Sequence, residues 1–324
     1  MAVTSADVAR ASGVSRTTVS YVLNATPGVT ISDATRARVL ETAARLGYAP
    51  SAAARTLRAG RSDLVLAVLP DWPIGPVLDD LLEQLADVLA ERGLAMLVHH
   101  GRGTRPMAAL WRAVQPRTVV AFAELAESDL RALAQAGIQV VDASGGAHET
   151  GEDAQAHIGR LQVEHLAAGG RRRIGWAGTT DARLAEFAAR RLEGVAGACA
   201  GLGLEPPVAC DLDLTAASAE RAVRAWRAAG VDAVAAYNDE VGLAVLAGVR
   251  AAGLAVPDDV AVIGVDDVPV AAFACPPLSS VDQAIGRHAA YLAACTLAVL
   301  DGGPAPAPPG DLHTVVARAS SAAR

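Results

Sequence analysis

The stretch Val3-Thr-Ser-Ala-Asp-Val-Ala-Arg-Ala-Ser-Gly-Val-Ser-Arg-Thr-Thr-Val-Ser-Tyr-Val-Leu-Asn24 reads as two short helices joined by a tight turn. Thr4, with Asp7 three residues on, has the spacing of a capping box. Val8, Ala9 and Ala11 supply a small inward face. Gly13 takes the turn, because a residue without Cβ reaches positive φ at little steric cost. Ser15 is a second N-cap, and Val19, Val22 and Leu23 form an apolar stripe at i, i+3 and i+4. Arg16, Thr17, Ser20 and Tyr21 then fall on the opposite side. A helix-turn-helix presents its second helix to the major groove of DNA in this way, N-terminal residues toward the base edges. A plain helix pair in a bundle would share the polar outer face. It would not account for helices this short ahead of a long α/β chain.

Ala25 to Ile31 reads as a loop holding Pro27 and Gly28. Ser32 caps a third helix, in which Ala37, Val39, Leu40 and Ala44 are expected inward and which Gly47 ends. Tyr48-Ala49-Pro50 breaks the chain, and Ser51 to Arg58 is one further helical stretch. Eight residues are well below the ~12–15 that an isolated helix needs in water. This segment is therefore expected to order only on a partner, the alternative being an ordinary linker.

Charge divides the chain in the same place. All 28 basic residues are arginine and the net charge is −7. Residues 1–60 carry Arg10, Arg16, Arg36, Arg38, Arg45, Arg55 and Arg58 against Asp7, Asp33 and Glu41, a net of +4, which leaves −11 on the remainder. A basic head on an acidic body suits a head that touches a polyanion and a body that does not. The sequence shows no secretory leader and no membrane span, so a cytoplasmic, nucleoid-associated protein is expected. Cys199, Cys210, Cys275 and Cys295 lack paired short spacing and read as small buried residues in a reducing compartment. His99, His100, His157 and His165 read as surface or second-layer residues. Neither a metal site nor a cofactor is expected.

From Asp63 onward short apolar runs alternate with amphipathic segments. The runs are Leu64–Leu69, Thr118–Phe122, Ile138–Val141, Ile174–Ala177, Val208–Cys210, Ala233–Tyr237 and Val260–Val265. Leu78, Leu81, Leu82, Leu85 and Leu89, closed by Gly93, show the helical spacing between them. Continuous apolar strands alternating with helices mean parallel sheets covered on both faces, here two doubly wound α/β units. Their split lies near residues 150–160, and a late segment, roughly Ser279 to Gly302, is long enough to cross back to the first unit. Strand ends are followed by Asp71, Glu124, Asp142, Asp211, Asn238 and Asp266. Open α/β sheets bind ligands beyond the carboxyl ends of their strands, so these residues describe a cleft for a small polar molecule. Taken singly, each also suits an ordinary helix cap.

The string Val14-Ser15-Arg16-Thr17-Thr18-Val19-Ser20-Tyr21-Val22-Leu23-Asn24 resembles the LacI/GalR family of bacterial repressors. So do Leu46-Gly47-Tyr48-Ala49-Pro50 and Ala54-Arg55-Thr56-Leu57 after it. The resemblance continues through Val163-Glu164-His165-Leu166, Arg191-Leu192-Glu193-Gly194, Tyr237-Asn238-Asp239 and Gly264-Val265-Asp266-Asp267, and ends on Pro276-Pro277-Leu278-Ser279-Ser280-Val281. It implies a helix-turn-helix headpiece (1–50), a hinge helix (51–60) and a core like a periplasmic binding protein (61–324). Within the core one subdomain takes about 61–153 and 283–311, the other about 154–282 and 312–324. It also implies a homodimer on a palindromic operator. Arg16, Thr17 and Tyr21 would meet bases, and Thr4, Ser15, Ser20, Asn24 and Thr30 phosphates. Ala54 would touch DNA beside Leu57, which matches the leucine that wedges into the minor groove and kinks the site. A bidentate Arg16–guanine contact is worth roughly 1–3 kcal/mol of discrimination. Asp71, Trp72, Asp142, Arg191, Asn238 and Asp266 match effector-contacting positions, and carboxylates with an arginine suit a sugar.

Several positions depart from the family pattern. Gly169-Gly170-Arg171 replaces Leu-Gly-His, and Asp153-Ala154-Gln155-Ala156-His157 replaces Asp-Asn-x-x-Gly. Leu214 stands where sugar binders place a stacking aromatic, and Tyr21 replaces an arginine of the reading helix. The tail after Val316 has no leucine heptad, which favours a dimer over a tetramer. Two alternatives to an effector-responsive repressor are a solute carrier with a vestigial head and a regulator that has lost its effector response. Catalysis has no support, since no nucleophile elbow, phosphate loop or metal-ligand spacing is present.

Overall fold

The computed structural model describes residues 3–24, 28–48, 62–101, 107–143, 153–310 and 312–322. The head is built from α1 (Ser5–Ser12), α2 (Arg16–Leu23) and α3 (Asp33–Arg45). At α1 the Thr4 N–H donates to Asp7 Oδ2 at 3.0 Å and the Thr4 hydroxyl to the same oxygen at 2.7 Å. Gly13 takes φ 68°, turning the chain into α2, where Ser15 Oγ accepts the Thr18 N–H at 3.0 Å. Val8, Ala9, Val19, Val22, Val39 and Ala43 close one small core. Arg38 Nε donates to the Ser12 carbonyl at 3.0 Å and ties α3 to the end of α1.

Two inward assignments in the head are corrected. Ala11 is exposed, and Ser12 is buried in its stead with its hydroxyl donating to the Val8 carbonyl at 2.6 Å. On α3 the buried residues are Val39, Thr42 and Ala43, whereas Ala37, Leu40 and Ala44 face out. The face is rotated by one position because both sets have helical spacing and only the contact with α1 and α2 decides between them. The proposed helix over Ser51–Arg58, with Ala54 and Leu57, lies outside the described residues.

The body has two lobes. The first consists of β1 (Leu64–Leu69), α4 (Pro76–Glu91), β2 (Ala95–His100), α5 (Met107–Val114), β3 (Thr118–Ala121), α6 (Glu127–Gln135) and β4 (Gln139–Asp142). Its sheet runs β2-β1-β3-β4, all parallel. The second begins with α7 (Ala154–Ala168), β5 (Ile174–Thr179), α8 (Ala185–Gly201), β6 (Val208–Leu212) and α9 (Ala216–Ala228). It continues with β7 (Ala233–Ala236), α10 (Asp239–Ala251), β8 (Ala261–Val265) and β9 (Ser279–Asp282). Then α11 (Ile285–Asp301) returns to pack on α4, β3 and β4, and β10 (Thr314–Val316) goes back to pair antiparallel with β9. The second sheet therefore runs β10-β9-β8-β7-β5-β6. Each lobe has its own apolar core, around Trp176, Trp226 and Ile263 in the second and Leu69, Leu85 and Leu89 in the first.

Sequence periodicity does not reveal β2, β9 or β10. β2 is an edge strand ending on two histidines, and β9 is half serine. Asp211 was expected beyond a strand end but lies inside β6, and Asp142 is the last residue of β4. Cys275, expected to be buried, is exposed. No described helix is long and apolar enough to cross a membrane.

The tightest helix contact in the body is between α7 and α8. A Cβ at Gly159 would collide with the Arg191 carbonyl oxygen, and one at Gly194 with the Ala156 carbonyl oxygen. The two backbones touch, so no side chain fits between them. Gly194→Ala is expected to cost about 1–3 kcal/mol of stability through overpacking, read as a lowered urea midpoint at unchanged m-value.

Candidate functional site

On the head, Arg16 and Thr17 are exposed at the start of α2, with Tyr21 one turn on at 37% exposure. The opposite face of the same helix is locked by Val19 and Val22. A rigid apolar seam thus holds three polar side chains outward. Thr4, Ser15, Asn24 and Thr30 are also exposed, and Ser20 is half-buried. Asn24 Nδ2 donates to the Ser20 carbonyl at 2.7 Å and Ser20 Oγ at 3.1 Å, closing the end of α2. The Ser15 hydroxyl also caps α2, and the Thr4 hydroxyl is held by Asp7 at the start of α1, so both are fixed at helix N-termini.

In the second lobe, the carboxyl ends of β5, β7 and β8 converge on one polar floor. Arg191 is buried on α8 with its side chain fixed from three sides. Nε donates to Gln155 Oε1 at 2.6 Å, Nη1 donates to the Tyr237 carbonyl at 2.5 Å, and the guanidinium lies 4.7 Å from the Tyr237 ring centre. The α7–α8 backbone contact brings Gln155 within reach. Asn238 caps α10, its Oδ1 accepting the Val241 N–H at 3.0 Å, which leaves its amide nitrogen to other partners. Asp266 follows β8 with φ 106° and Asp267 with φ 50°, two consecutive non-glycine residues in left-handed backbone. Gln283 Nε2 donates to Asp266 Oδ1 at 2.5 Å, and Arg318 pairs with Asp267 at 2.6 Å.

Burial pushes the Asp266 carboxyl up to about 6, against the opposing pull of Arg191 and the Gln283 hydrogen bond. Behind it Asp239 is fully enclosed. Its Oδ1 accepts the Ser280 hydroxyl at 2.7 Å and its Oδ2 the Val268 N–H at 2.9 Å, yet burial still raises it to about 7. The neighbouring charges of Asp266 and Asp267 push in the same direction.

The first lobe contributes Asp71 and Trp72 from the turn after β1, and Asp142 from the end of β4. Asp71 is close enough to Arg183 to support its charge, and the Trp72 ring meets Phe187 of the second lobe at 5.1 Å between centroids. The geometry thus joins Arg191 and Asp266 on the floor and sets Asp71 and Trp72 at the facing edge. Asp142 is exposed at the end of β4.

Sequence reasoning passed over Gln155, Phe187, Asp239 and Gln283 as site residues. Asp239 had a signal, since it follows Asn238 directly, but adjacent positions do not announce which one is buried. Arg171 is likewise explained only by the structure. Buried where the family pattern has histidine, it donates to the Pro257 carbonyl at 2.6 Å and to the Asp232 and Asp258 carbonyls at longer range. His157 is buried too, and Arg160 lies 2.5 Å from its Nδ1.

Both raised carboxyls bind protons more tightly in the folded chain than in the unfolded one, so they favour folding at low pH and lose that contribution as pH rises. Stability is expected to decline between pH 4 and 7 at constant ionic strength, followed by thermal unfolding. Asp239→Asn keeps an acceptor for Val268 and a donor for Ser280 while removing the charge. It should flatten the decline, and an equally steep profile in the variant would refute this assignment.

Comparison with known proteins agrees with this geometry. Residues 4–51 match the model of bacterial regulatory proteins of the lacI family, and residues 163–321 match a periplasmic binding protein-like domain. The transcriptional regulator CelR of Thermobifida fusca is 34% identical over 88% of this chain and 89% of its own. The regulator GntR of Pseudomonas aeruginosa is 30% identical over 88% and 86%. A solved CelR–cellobiose complex superimposes with a TM-score of 0.63 at 28% identity, covering 98% of this chain and all of that one. A lac repressor dimer bound to operator shares the fold, with a TM-score of 0.80 at 21% identity over the full length of both chains. The chain belongs to the LacI family of DNA-binding transcriptional regulators.

Proposed function

We propose that two copies of this chain grip a palindromic operator and that a small hydroxyl-rich molecule in the inter-lobe cleft sets how firmly they hold it. The observation that carries this reading is the outward trio Arg16, Thr17 and Tyr21 on a helix locked from behind by Val19 and Val22. Those three side chains read bases. Thr4, Ser15, Ser20, Asn24 and Thr30 face phosphates, and Leu57 enters the minor groove at the centre of the site, with Ala54 touching DNA beside it. Repression is the favoured direction of control, since PurR of Aliivibrio fischeri, 28% identical over 86% of this chain, is a transcriptional repressor. The acidic body, covering about 61–324 as two subdomains, takes no part in the grip itself.

The effector assignment rests on Asp71, Trp72, Asp142, Arg191, Asn238 and Asp266. The CelR complex holds cellobiose, so a sugar or sugar derivative is the class that fits. An arginine with two donors already committed and an Asp266 carboxyl raised by burial supply directional hydrogen bonds without a large net charge. That suits hydroxyls better than a phosphate or an amine.

Self-association is assigned to the turn Pro269–Phe273 after β8. Phe273 is 85% exposed and Val270 52%, and two large apolar side chains side by side in water call for a cover. A second copy meeting the same patch about a two-fold axis matches the symmetry of a palindromic site. Phe273→Asp should give a monomer by sedimentation and lose operator affinity while its fold persists. A dimer that survives the substitution moves the interface elsewhere.

Genomic selection on the full chain tests the reading directly. A palindrome should emerge, bound with an affinity that falls steeply with salt as phosphate contacts release counterions. Arg16→Ala should lose roughly 1–3 kcal/mol at one base position in each half-site. Leu57→Ala should weaken specific binding far more than non-specific binding. Cellobiose and a panel of mono- and disaccharides should include one that raises the thermal midpoint and shifts operator affinity. If no duplex is preferred over random competitor, the DNA reading fails. A panel without effect sinks only the sugar class.

A further inference from the structure

The mouth of the cleft differs in chemistry from its floor. Trp72 lies in the turn after β1 in the first lobe, and Phe187 in the first turn of α8 in the second. Their rings meet edge to face, with 5.1 Å between centroids and 62° between planes. Ile74, two residues beyond Trp72, is 57% exposed, and Leu214, just before α9, is 61% exposed. Thr180 Oγ1 donates to Asp213 Oδ1 at 2.6 Å, joining the turn before α8 to the turn that carries Leu214. All four apolar side chains follow the carboxyl end of a strand in their own lobe. Arg191 lies one helical turn beyond Phe187 on α8, and Asn238 and Asp266 follow β7 and β8 of the same lobe.

We propose that Trp72 and Phe187 form an aromatic clasp between the lobes that grips a second, apolar-faced unit of the effector while the floor binds its hydroxyl-rich unit. The effector is then a disaccharide or an aryl or alkyl glycoside and not a single sugar. This rests on the cleft reading given under Proposed function. Because each ring belongs to a different lobe, the clasp exists only when the lobes approach. A ligand ring held between them therefore binds the closed state better than the open one, and only such differential binding can shift the equilibrium between lobe arrangements. An edge-to-face pair also selects for geometry, since the positive ring edge prefers the negative π face. The apolar face of a pyranose or an arene packs on the Trp72 face, with the Phe187 ring against its other side. A lone monosaccharide seated on the floor leaves the clasp as it stands.

The test uses the full chain and three probes, glucose, cellobiose and phenyl β-glucoside, by calorimetry. The larger two should bind at least roughly tenfold more tightly than glucose, and Phe187→Ala should collapse that ratio to about threefold or less. Glucose binding as tightly as the larger probes, or a ratio that persists in Phe187→Ala, would overturn the proposal. A ligand-free arm separates its failure from that of the sugar class. Of the four tryptophans, Trp111, Trp176 and Trp226 are at most 7% exposed, so acrylamide quenching reads Trp72. Phe187→Ala should raise the quenching constant about twofold, and adding Trp72→Phe should abolish the rise. If no probe binds but quenching rises, the sugar class fails and the clasp stands. Unchanged quenching in Phe187→Ala removes the clasp whatever the probes do.

Discussion

The contact between the backbones of α7 and α8 decides what the cleft can do. Gly159 and Gly194 leave no side chain between the helices, so the Ala156 and Arg191 carbonyls lie against the opposing chain. Arg191, one turn before Gly194, is thereby carried next to Gln155 and under Tyr237. A buried guanidinium is tolerable only when its donors are met, and two are met within the protein before any ligand arrives. What remains of its field acts on Asp266. The floor is therefore pre-arranged, and a ligand need not pay to order it. Had either glycine been a larger residue, the helices would separate and the arginine would retreat from the strand ends it now serves.

The second constraint is the turn Asp266–Asp267. Two successive aspartates with positive φ hold strain of order 1–3 kcal/mol each, which persists only where the surroundings over-determine it. Here they do so through the connections between lobes. Gln283, on the passage from β9 to α11, holds Asp266, while Arg318, just after β10, holds Asp267. Ser280 of β9 accepts the Asp267 N–H at 2.9 Å and donates to buried Asp239. The carboxylate that faces the cleft and the strands that link the lobes thus belong to one hydrogen-bonded network. An effector bound at Asp266, as proposed, would pull on the lobe connections through this network.

Much of this was legible beforehand, for a physical reason in each case. The strands β1, β3, β5, β7 and β8 are buried on both faces, so their apolar runs are continuous and need no context. β9 is equally buried, but Ser279 and Ser280 lie there by satisfying their hydroxyls on Asp239, Arg318 and Ser321, partners far away in sequence. Polarity concealed the strand. On α3, Leu40 drew the inward assignment by its hydrophobicity alone, whereas the buried position went to Thr42. Arg191, Asn238 and Asp266 were named through family resemblance, and periodicity would not have singled them out. Phe187 carried no signal at all, because its meaning depends on a tryptophan in the other lobe.

Charge partition gives the proposed dimer its control. A body of −11 beside a duplex is repelled within the ~8 Å over which charges act at physiological salt, so the heads alone approach the phosphates. A single head with a net of +4 and one short reading helix offers few contacts. Affinity therefore depends on delivering two heads at the spacing of the two half-sites, where the second binds at the effective concentration set by the first. If the spacing is wrong, that advantage disappears without any protein–DNA contact being altered. A cleft whose floor is wired to the lobe connections needs only to change how the two bodies hold their heads apart. To move occupancy from nearly full to nearly empty, the ligand must favour one arrangement by about 5.5 kcal/mol in total, a sum shared between two cleft floors and within the range of a few buried hydrogen bonds and one aromatic face at each.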